Sequence, residues 1–192
     1  MDRNLGLAVA RARTASVKGM FERHVSPKVR TLTGSAAGGR WGPPGAYPVL
    51  YLGRPRESVI IEAYRHLVED VEGMRPEAVG PRRVLTAEVN VTQILDLRDP
   101  ASQAELELTM EDFLGPREPC QAIGLAAHQL RLHGVIAPAA TGLGETLALF
   151  ERILPSEEIP VLFAERMWDQ LPRDPRVPYL VRGEAEDRPS TG

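Results

Sequence analysis

The sequence of 192 residues predicts a single mixed domain of helices and strands, an α+β fold. Three observations predict this class. Hydrophobic residues form 43% of the chain, which is enough for one core at this length. Short apolar runs typical of buried strands alternate with segments whose apolar residues recur at helical spacing. Clusters of glycine and proline separate these segments, as expected of turns and loops.

The elements follow in order along the chain. Residues 1–20 predict a short amphipathic helix or a loose arm, and 34–47 form a glycine- and proline-rich loop. Apolar or alternating runs predict strands over these segments: 48–52, 83–91 with a continuation at 94–97, 135–138 and 161–164. Helical spacing predicts helices over 58–71, 101–114 and 121–132, whereas 145–153 fits either type. We therefore expect an arm (1–20), a main body (21–170) and a proline-rich, poorly ordered tail (171–192).

Composition and missing motifs exclude several function classes. A net charge of −3 and a pI near 5.9 give no reason to expect direct nucleic-acid binding or an anionic membrane partner. The single Cys120 excludes an internal disulfide and a cysteine-based zinc site, and the four histidines are too scattered to predict a metal site. Neither a signal peptide nor an apolar run long enough to span a membrane is present. We expect a soluble cytoplasmic protein.

A group of polar and aromatic side chains lies around the loop and the elements that follow it. Arginine and aromatic rings suit a ligand that carries both phosphates and flat heterocycles, and a strand that leads directly into a helix can present both elements to one cavity. Each residue alone also fits a structural role, as a surface charge, a core anchor or half of a helix ion pair. The candidates are Arg23, His24, Arg40, Trp41, Tyr51 and Glu62.

These residues occur in an order that resembles a known family, the RES-domain toxins. The matching stretches are F-x-R-H-V, GGRWGPPG, PVLYL and E-A-Y-R-H, and the weaker part of the similarity continues through 134–140 and 147–150. Altogether the resemblance spans roughly residues 21–155. It implies a fold similar to the ADP-ribosyltransferases of the diphtheria-toxin type. It also implies a cytoplasmic toxin that consumes NAD⁺ without a metal and forms a hetero-oligomer with an Xre-type antitoxin, whose C-terminal segment blocks the site.

The resemblance also implies a role for each matching residue. The carboxylate of Glu62 would stabilise the oxocarbenium-like transition state that forms when the nicotinamide–ribose bond breaks. Arg23 would hold the pyrophosphate with help from Arg40. Tyr51 would stack on the nicotinamide ring, while Trp41 or His24 would form the pocket wall.

Two positions depart from the family pattern. The family serine falls on Ala139, and Thr141 supplies a hydroxyl only if the turn differs; Gly42 replaces the loop asparagine. Ala139 and Thr141 are nevertheless expected at the ligand site. Three hypotheses therefore stand: an NAD⁺ glycohydrolase or phosphorylase, an ADP-ribosyltransferase that modifies a protein, and a catalytically impaired binding module.

Overall fold

The computed structural model describes residues 3–177 and contains six strands and five α-helices over that range. The strands are β1 (Thr14–Val25), β2 (Val49–Arg54), β3 (Arg82–Asp96), β4 (Gly134–Pro138), β5 (Glu145–Phe150) and β6 (Val161–Trp168). The helices are α1 (Arg3–Arg11), α2 (Arg56–Tyr64), α3 (Pro100–Glu105), α4 (Met110–Leu114) and α5 (Glu118–Gln129). This is the mixed α/β class that the sequence predicts.

The strands form one sheet in the order β1-β2-β5-β4-β3-β6, with an additional pairing between β1 and β3. The extra pairing closes a circuit of five strands, so the sheet bends back on itself and β6 extends it along β3. All neighbours are antiparallel except β3 and β4, which are parallel. The turn that leaves β4 therefore lies beside the start of β5, close to the end of β2.

Successive side chains of a strand point to opposite faces of the sheet, so the apolar residues of the strands fall into two main clusters. Leu50 and Leu52 of β2 point inward and pack with Phe21 and the inner residues of β3, β4 and β5. Val49, one position away, points outward and packs under α5 with Trp41. Helices α1, α4 and α5 thus cover the outer face of the sheet. A third, smaller cluster holds α2 against Val84 and Trp168.

The structure corrects the prediction for the beginning of the chain. The expected arm over residues 1–20 is a helix only as far as Arg11, and β1 begins at Thr14, so the expected boundary at residue 20 falls inside a strand. Lys18, Glu22 and Arg23 interrupt the apolar alternation of β1 and hide it in the sequence. The strand is nevertheless well covered, because it pairs with β3 along almost its whole length.

Two further expectations differ from the structure. The helix expected over 101–114 is split into α3 and α4, and Glu107 between them adopts a positive φ of 54°. Near the C-terminus, Leu171 packs against the α2 cluster, and the Pro172 carbonyl accepts a hydrogen bond from the Tyr64 hydroxyl at 2.9 Å. The start of the expected tail is therefore held to the domain. The prediction that the tail is poorly ordered over 178–192 lies outside the described residues. No helix in residues 3–177 is both long and apolar enough to cross a membrane.

Candidate functional site

A cavity of about 190 Å³ opens where the glycine-rich loop, β2, α2 and the turn after β4 meet. Helix α2 and the helical turn after it present one face to this cavity, on which Ser58, Glu62 and His66 recur at four-residue spacing. Val59 and Ala63 lie on another face of the helix and pack in the core. The residues that line the cavity are Gly38, Gly39, Arg40, Trp41, Tyr51, Ser58, Glu62, Arg65, His66, Arg117, Pro138, Ala140, Thr141 and Thr146.

Glu62 is the single carboxylate among these lining residues. Its side chain keeps 41% of its surface exposed because the cavity is open to solvent, but protein atoms surround it on the other sides. Desolvation raises the pKa of Glu62, and the positive charges of His66, Arg23 and Arg65 partly offset this rise. Desolvation is the larger effect, so the pKa of Glu62 stays above its ordinary value, and the neighbouring cationic groups limit the rise.

His66 lies between two carboxylates on the same stretch of helix. Its Nε2 is 3.7 Å from Glu62 Oε1, and its Nδ1 is 3.2 Å from Asp70 Oδ2. A wider π-helical turn over Arg65–Glu69 follows α2 at this point. Because Asp70 holds one ring nitrogen, the other stays directed toward Glu62.

Tyr51 connects the strand to the glycine-rich loop. It lies on the outer face of β2, and its hydroxyl accepts a hydrogen bond from the Trp41 backbone N–H at 2.9 Å. Desolvation raises the pKa of Tyr51 to about 12, so the hydroxyl stays protonated at neutral pH. Gly39 allows this approach, because a Cβ at that position would lie 2.5 Å from the Tyr51 hydroxyl.

Trp41 belongs mainly to the core. It lines the cavity, but only 1% of the residue is exposed, and its ring packs on Phe113 with 6.3 Å between the ring centroids. Its carbonyl accepts a hydrogen bond from the Tyr47 hydroxyl at 3.2 Å. The core alternative for Trp41 is therefore the one that the structure supports. At Gly42, a Cβ would lie 2.7 Å from Val49 Cγ2, which accounts for a glycine where the family has asparagine.

Arg40 fastens the loop to the segment before α5. Its Nη1 donates to the carbonyls of Asp112 at 3.1 Å and of Gly115 at 3.2 Å. The side chain of Gln121 in α5 donates in return to the Gly39 carbonyl at 3.0 Å. These bonds place the N-terminal end of α5, and Arg117 just before it, at the cavity.

Two hydroxyls meet on the cavity wall near the position of the family serine. Ala139 is buried and does not line the cavity, whereas Thr141 does. The Thr141 Oγ1 lies 3.0 Å from Ser58 Oγ and also donates to the Leu143 carbonyl at 3.0 Å. The turn thus carries its hydroxyl two residues beyond Ala139, and α2 supplies a second one.

Arg23 and His24 do not line the cavity, although they are neighbours in β1. Arg23 donates to the Thr33 carbonyl at 3.0 Å, and its charge acts on Glu62. The His24 ring stacks on Trp168 with 6.4 Å between centroids, and burial lowers the pKa of His24 to about 3. The His24 ring thus faces Trp168, and His24 is not among the residues that line the cavity.

The structure thus brings together Arg40, Trp41, Tyr51, Glu62 and Thr141 from the sequence-based candidates. Sequence reasoning missed the following lining residues that carry polar side chains: Ser58, Arg65, His66, Arg117 and Thr146. The spacing of Ser58, Glu62 and His66 on one helix face was a usable signal for two of them. Within residues 3–177, no group of three or more histidine, cysteine or acidic side chains is suited to hold a metal ion.

Comparison with known proteins identifies the family. The model of the RES domain matches residues 16–170. This chain belongs to the RES-domain family. The solved structure of the Mycobacterium tuberculosis MbcT–MbcA toxin–antitoxin complex is similar, with a TM-score of 0.77, 26% identity, and coverage of 87% of this chain and 93% of that one.

Curated relatives of this RES-domain chain carry a biochemical name. Proteins named NAD(+) phosphorylase MbcT, from Mycobacterium bovis and from strains of M. tuberculosis, are 31% identical to it over 116 residues. The match covers 60% of this chain and 62% of those relatives. The stretch shared with them therefore spans somewhat less than two thirds of their length.

Proposed function

We propose that this RES-domain protein degrades NAD⁺ by cleaving the bond between nicotinamide and ribose. One observation carries the proposal: Glu62 and Tyr51 face one cavity that three arginines also line. NAD⁺ combines a flat cationic ring with an anionic pyrophosphate, and this cavity offers complementary groups for both. The name of the curated relatives, NAD(+) phosphorylase, supports the same reaction.

Glu62 acts on the charge that develops during the reaction. As the glycosidic bond breaks, nicotinamide leaves as a neutral base with the bonding electron pair, and positive charge builds up on the ribose. An ionised carboxylate next to that ribose stabilises the transition state more than the ground state. His66, Arg23 and Arg65 favour the ionised form of Glu62. Arg23 thus supports catalysis through Glu62, in place of the pyrophosphate contact that the family resemblance implies.

An acceptor then bonds to the anomeric carbon of the ribose. Phosphate as acceptor yields ADP-ribose phosphate, and water yields ADP-ribose and a proton. We assign the Tyr51 ring to stacking on the departing nicotinamide, because the residue lines the cavity and its hydroxyl is already engaged with the loop. Ser58 and Thr141 offer hydroxyls to the substrate in place of the family serine.

The direct test measures nicotinamide release from NAD⁺ by the purified protein, with and without inorganic phosphate. Glu62→Gln should lower turnover about 100-fold or more, because it removes the stabilising charge and keeps the shape. Glu57→Gln is the matched control: Glu57 lies in the first turn of the same helix, is exposed and does not line the cavity. An inactive wild-type protein, or a Glu62→Gln variant as active as Glu57→Gln, would contradict the proposal. Transfer of label from NAD⁺ to a protein would instead identify an ADP-ribosyltransferase.

We further propose that an Xre-type antitoxin binds this protein and blocks the cavity. The solved relative is a toxin–antitoxin complex, and the cavity here is open enough to leave Glu62 partly exposed. Co-expression with an Xre-type protein encoded next to this chain should give a stable complex that no longer releases nicotinamide. A complex that retains full activity would argue against blockage of the site.

A further inference from the structure

Arg117 differs from the other two arginines of the cavity. Arg40 donates to the carbonyls of Asp112 and Gly115, and Arg65 donates to the carbonyl of Ala140. The Arg117 side chain is exposed at the cavity, and within residues 3–177 it makes no hydrogen bond and no ion pair. Its five N–H donors are thus available to a ligand.

The charge balance of the cavity favours an anionic ligand. Three arginines line it together with the single carboxylate of Glu62, so positive side chains outnumber negative ones. Two of these arginines are already committed to backbone carbonyls that hold the loops in place. Each of these two uses its Nη1 group for the backbone, whereas Arg117 keeps its whole guanidinium for an anion that enters the cavity. A guanidinium matches a phosphoryl group through paired N–H donors.

The backbone around Arg117 fixes its position relative to the reacting groups. Arg117 immediately precedes the twelve-residue helix α5, whose start is tied to the glycine-rich loop by Gln121 and Arg40. The same loop donates a hydrogen bond from the Trp41 N–H to the Tyr51 hydroxyl. The charge of Arg117 also reaches the Tyr51 hydroxyl and lowers its pKa, against the larger effect of desolvation. Arg117 and Tyr51 thus belong to one site.

We propose that Arg117 binds a phosphoryl group of the reactants and thereby helps to select the substrates of this cavity. The inference rests on the proposed NAD⁺ cleavage, whose reactants contain two sources of such a group: the pyrophosphate of NAD⁺ and inorganic phosphate as acceptor. In the second case, a phosphate oxygen bonds to the anomeric carbon while the bond to nicotinamide breaks and nicotinamide leaves with the electron pair. No further reactant is needed.

The test compares Arg117→Ala and Arg117→Lys with wild type, using NAD⁺ at varied phosphate concentration. Arg56→Ala is the matched control, because Arg56 is an exposed arginine at the start of α2 that does not line the cavity. Arg117→Ala should raise one of the two KM values about 10-fold or more, as expected when charge-assisted hydrogen bonds are lost. Arg117→Lys should restore only part of the wild-type affinity, because an ammonium group lacks the planar, forked donors of a guanidinium.

The changes in the KM values for NAD⁺ and for phosphate identify which phosphoryl group Arg117 binds. A higher KM for phosphate, with products shifted from ADP-ribose phosphate to ADP-ribose, assigns Arg117 to the acceptor. A higher KM for NAD⁺ alone assigns it to the pyrophosphate. Unchanged values for both substrates in an active protein would overturn the inference and leave the proposed function intact.

A separate measurement keeps the two proposals distinct. If the wild-type protein releases no nicotinamide, the proposed function fails, and calorimetric titration with ADP-ribose and with inorganic phosphate still tests the anion site. Weaker binding of either ligand by Arg117→Ala than by Arg56→Ala supports the role of Arg117. Equal binding, or no binding of either ligand to the wild type, overturns it. Equal urea unfolding midpoints for the two variants establish that both are folded.

Discussion

Tyr51→Phe tests whether the glycine-rich loop is held in place by the strand beneath it. The Tyr51 hydroxyl accepts the Trp41 N–H at 2.9 Å, and the Tyr47 hydroxyl donates to the Trp41 carbonyl at 3.2 Å. Two tyrosines thus hold both polar groups of one backbone residue. Phenylalanine at position 51 would keep the ring and leave the N–H of a buried residue without its acceptor.

The magnitude follows from that unpaired group. A buried donor without a partner costs about 1–3 kcal/mol, so Tyr51→Phe should lower the free energy of unfolding by this amount. Each kcal/mol corresponds to a fall of about 2–4 °C in Tm for a domain of this size. Because the released loop also lines the cavity, nicotinamide release should fall about 10-fold or more. Urea unfolding followed by tryptophan fluorescence and a turnover assay measure the two effects.

Tyr47→Phe is the matched comparison. Tyr47 contacts the same residue but does not line the cavity, so its loss should destabilise the fold with little effect on turnover. The expected cost is again about 1–3 kcal/mol, because the buried carbonyl of Trp41 loses its donor. If Tyr51→Phe unfolds at the same urea concentration as wild type, the hydroxyl does not hold the loop. If both variants lose activity in proportion to stability, Tyr51 has no separate role at the site.

Three further predictions concern charge and packing. Desolvation raises the pKa of Glu62 above 4.5, so ionisation of this carboxyl lowers the stability of the folded protein as the pH rises above 4.5. Glu62→Gln should therefore unfold at a higher urea concentration than wild type at neutral pH. The difference should vanish in acid, where the wild-type carboxyl is protonated. Burial lowers the pKa of His24 from 6.5 to about 3, so the unfolded chain binds an extra proton between these values and stability falls as pH drops below 6.5. His24→Gln should remove a slope of up to about 1.4 kcal/mol per pH unit, measured by urea unfolding from about pH 4 to about pH 7, and an unchanged slope would refute the burial of a neutral ring. Gly39→Ala should cost about 1–3 kcal/mol because its Cβ would press on the Tyr51 hydroxyl, whereas Gly80→Ala, which meets open space, should be neutral in the same unfolding assay.

The sequence was most informative where local chemistry decides the structure. The apolar run of β2 and the helical spacing after Ser58 predicted the strand–helix unit that carries Tyr51 and Glu62. Strand β1 was missed because its stability comes from β3, its partner about 70 residues away along the chain, as in the pair Phe21–Ala87. The charged residues along β1 break the apolar alternation, so the sequence shows no strand pattern there. Pairing with β3 outweighs this weak local propensity.

The same distinction applies to the site. Candidates next to the glycine-rich loop were found because one motif joins them. Trp41 was predicted at the ligand site with a core role as the alternative, and it is buried while it also lines the cavity. Arg117 was missed because contacts between residues far apart in the sequence, such as the bonds from Arg40 and Gln121, bring the start of α5 to this loop. No local pattern in the sequence carries such long-range information. Arg23 and His24 were named from the same motif, but neither lines the cavity, and the ligand role expected of His24 stays a prediction.

The proposed function has to accommodate an alanine at position 139, where the family pattern has a serine. A substrate contact requires a polar group at a given place in space, and the chain position that supplies this group is free to vary. Ala139 begins a turn that continues to Thr141, whose hydroxyl meets Ser58 at 3.0 Å on the cavity wall. Because Thr141 donates to the Leu143 carbonyl, Ser58 donates to Thr141, so both hydroxyls are oriented and meet an entering ligand with their oxygen lone pairs. We therefore propose that this hydroxyl pair, with one member on α2 and the other near the end of the turn, takes the place of the family serine at the cavity that Glu62 also lines.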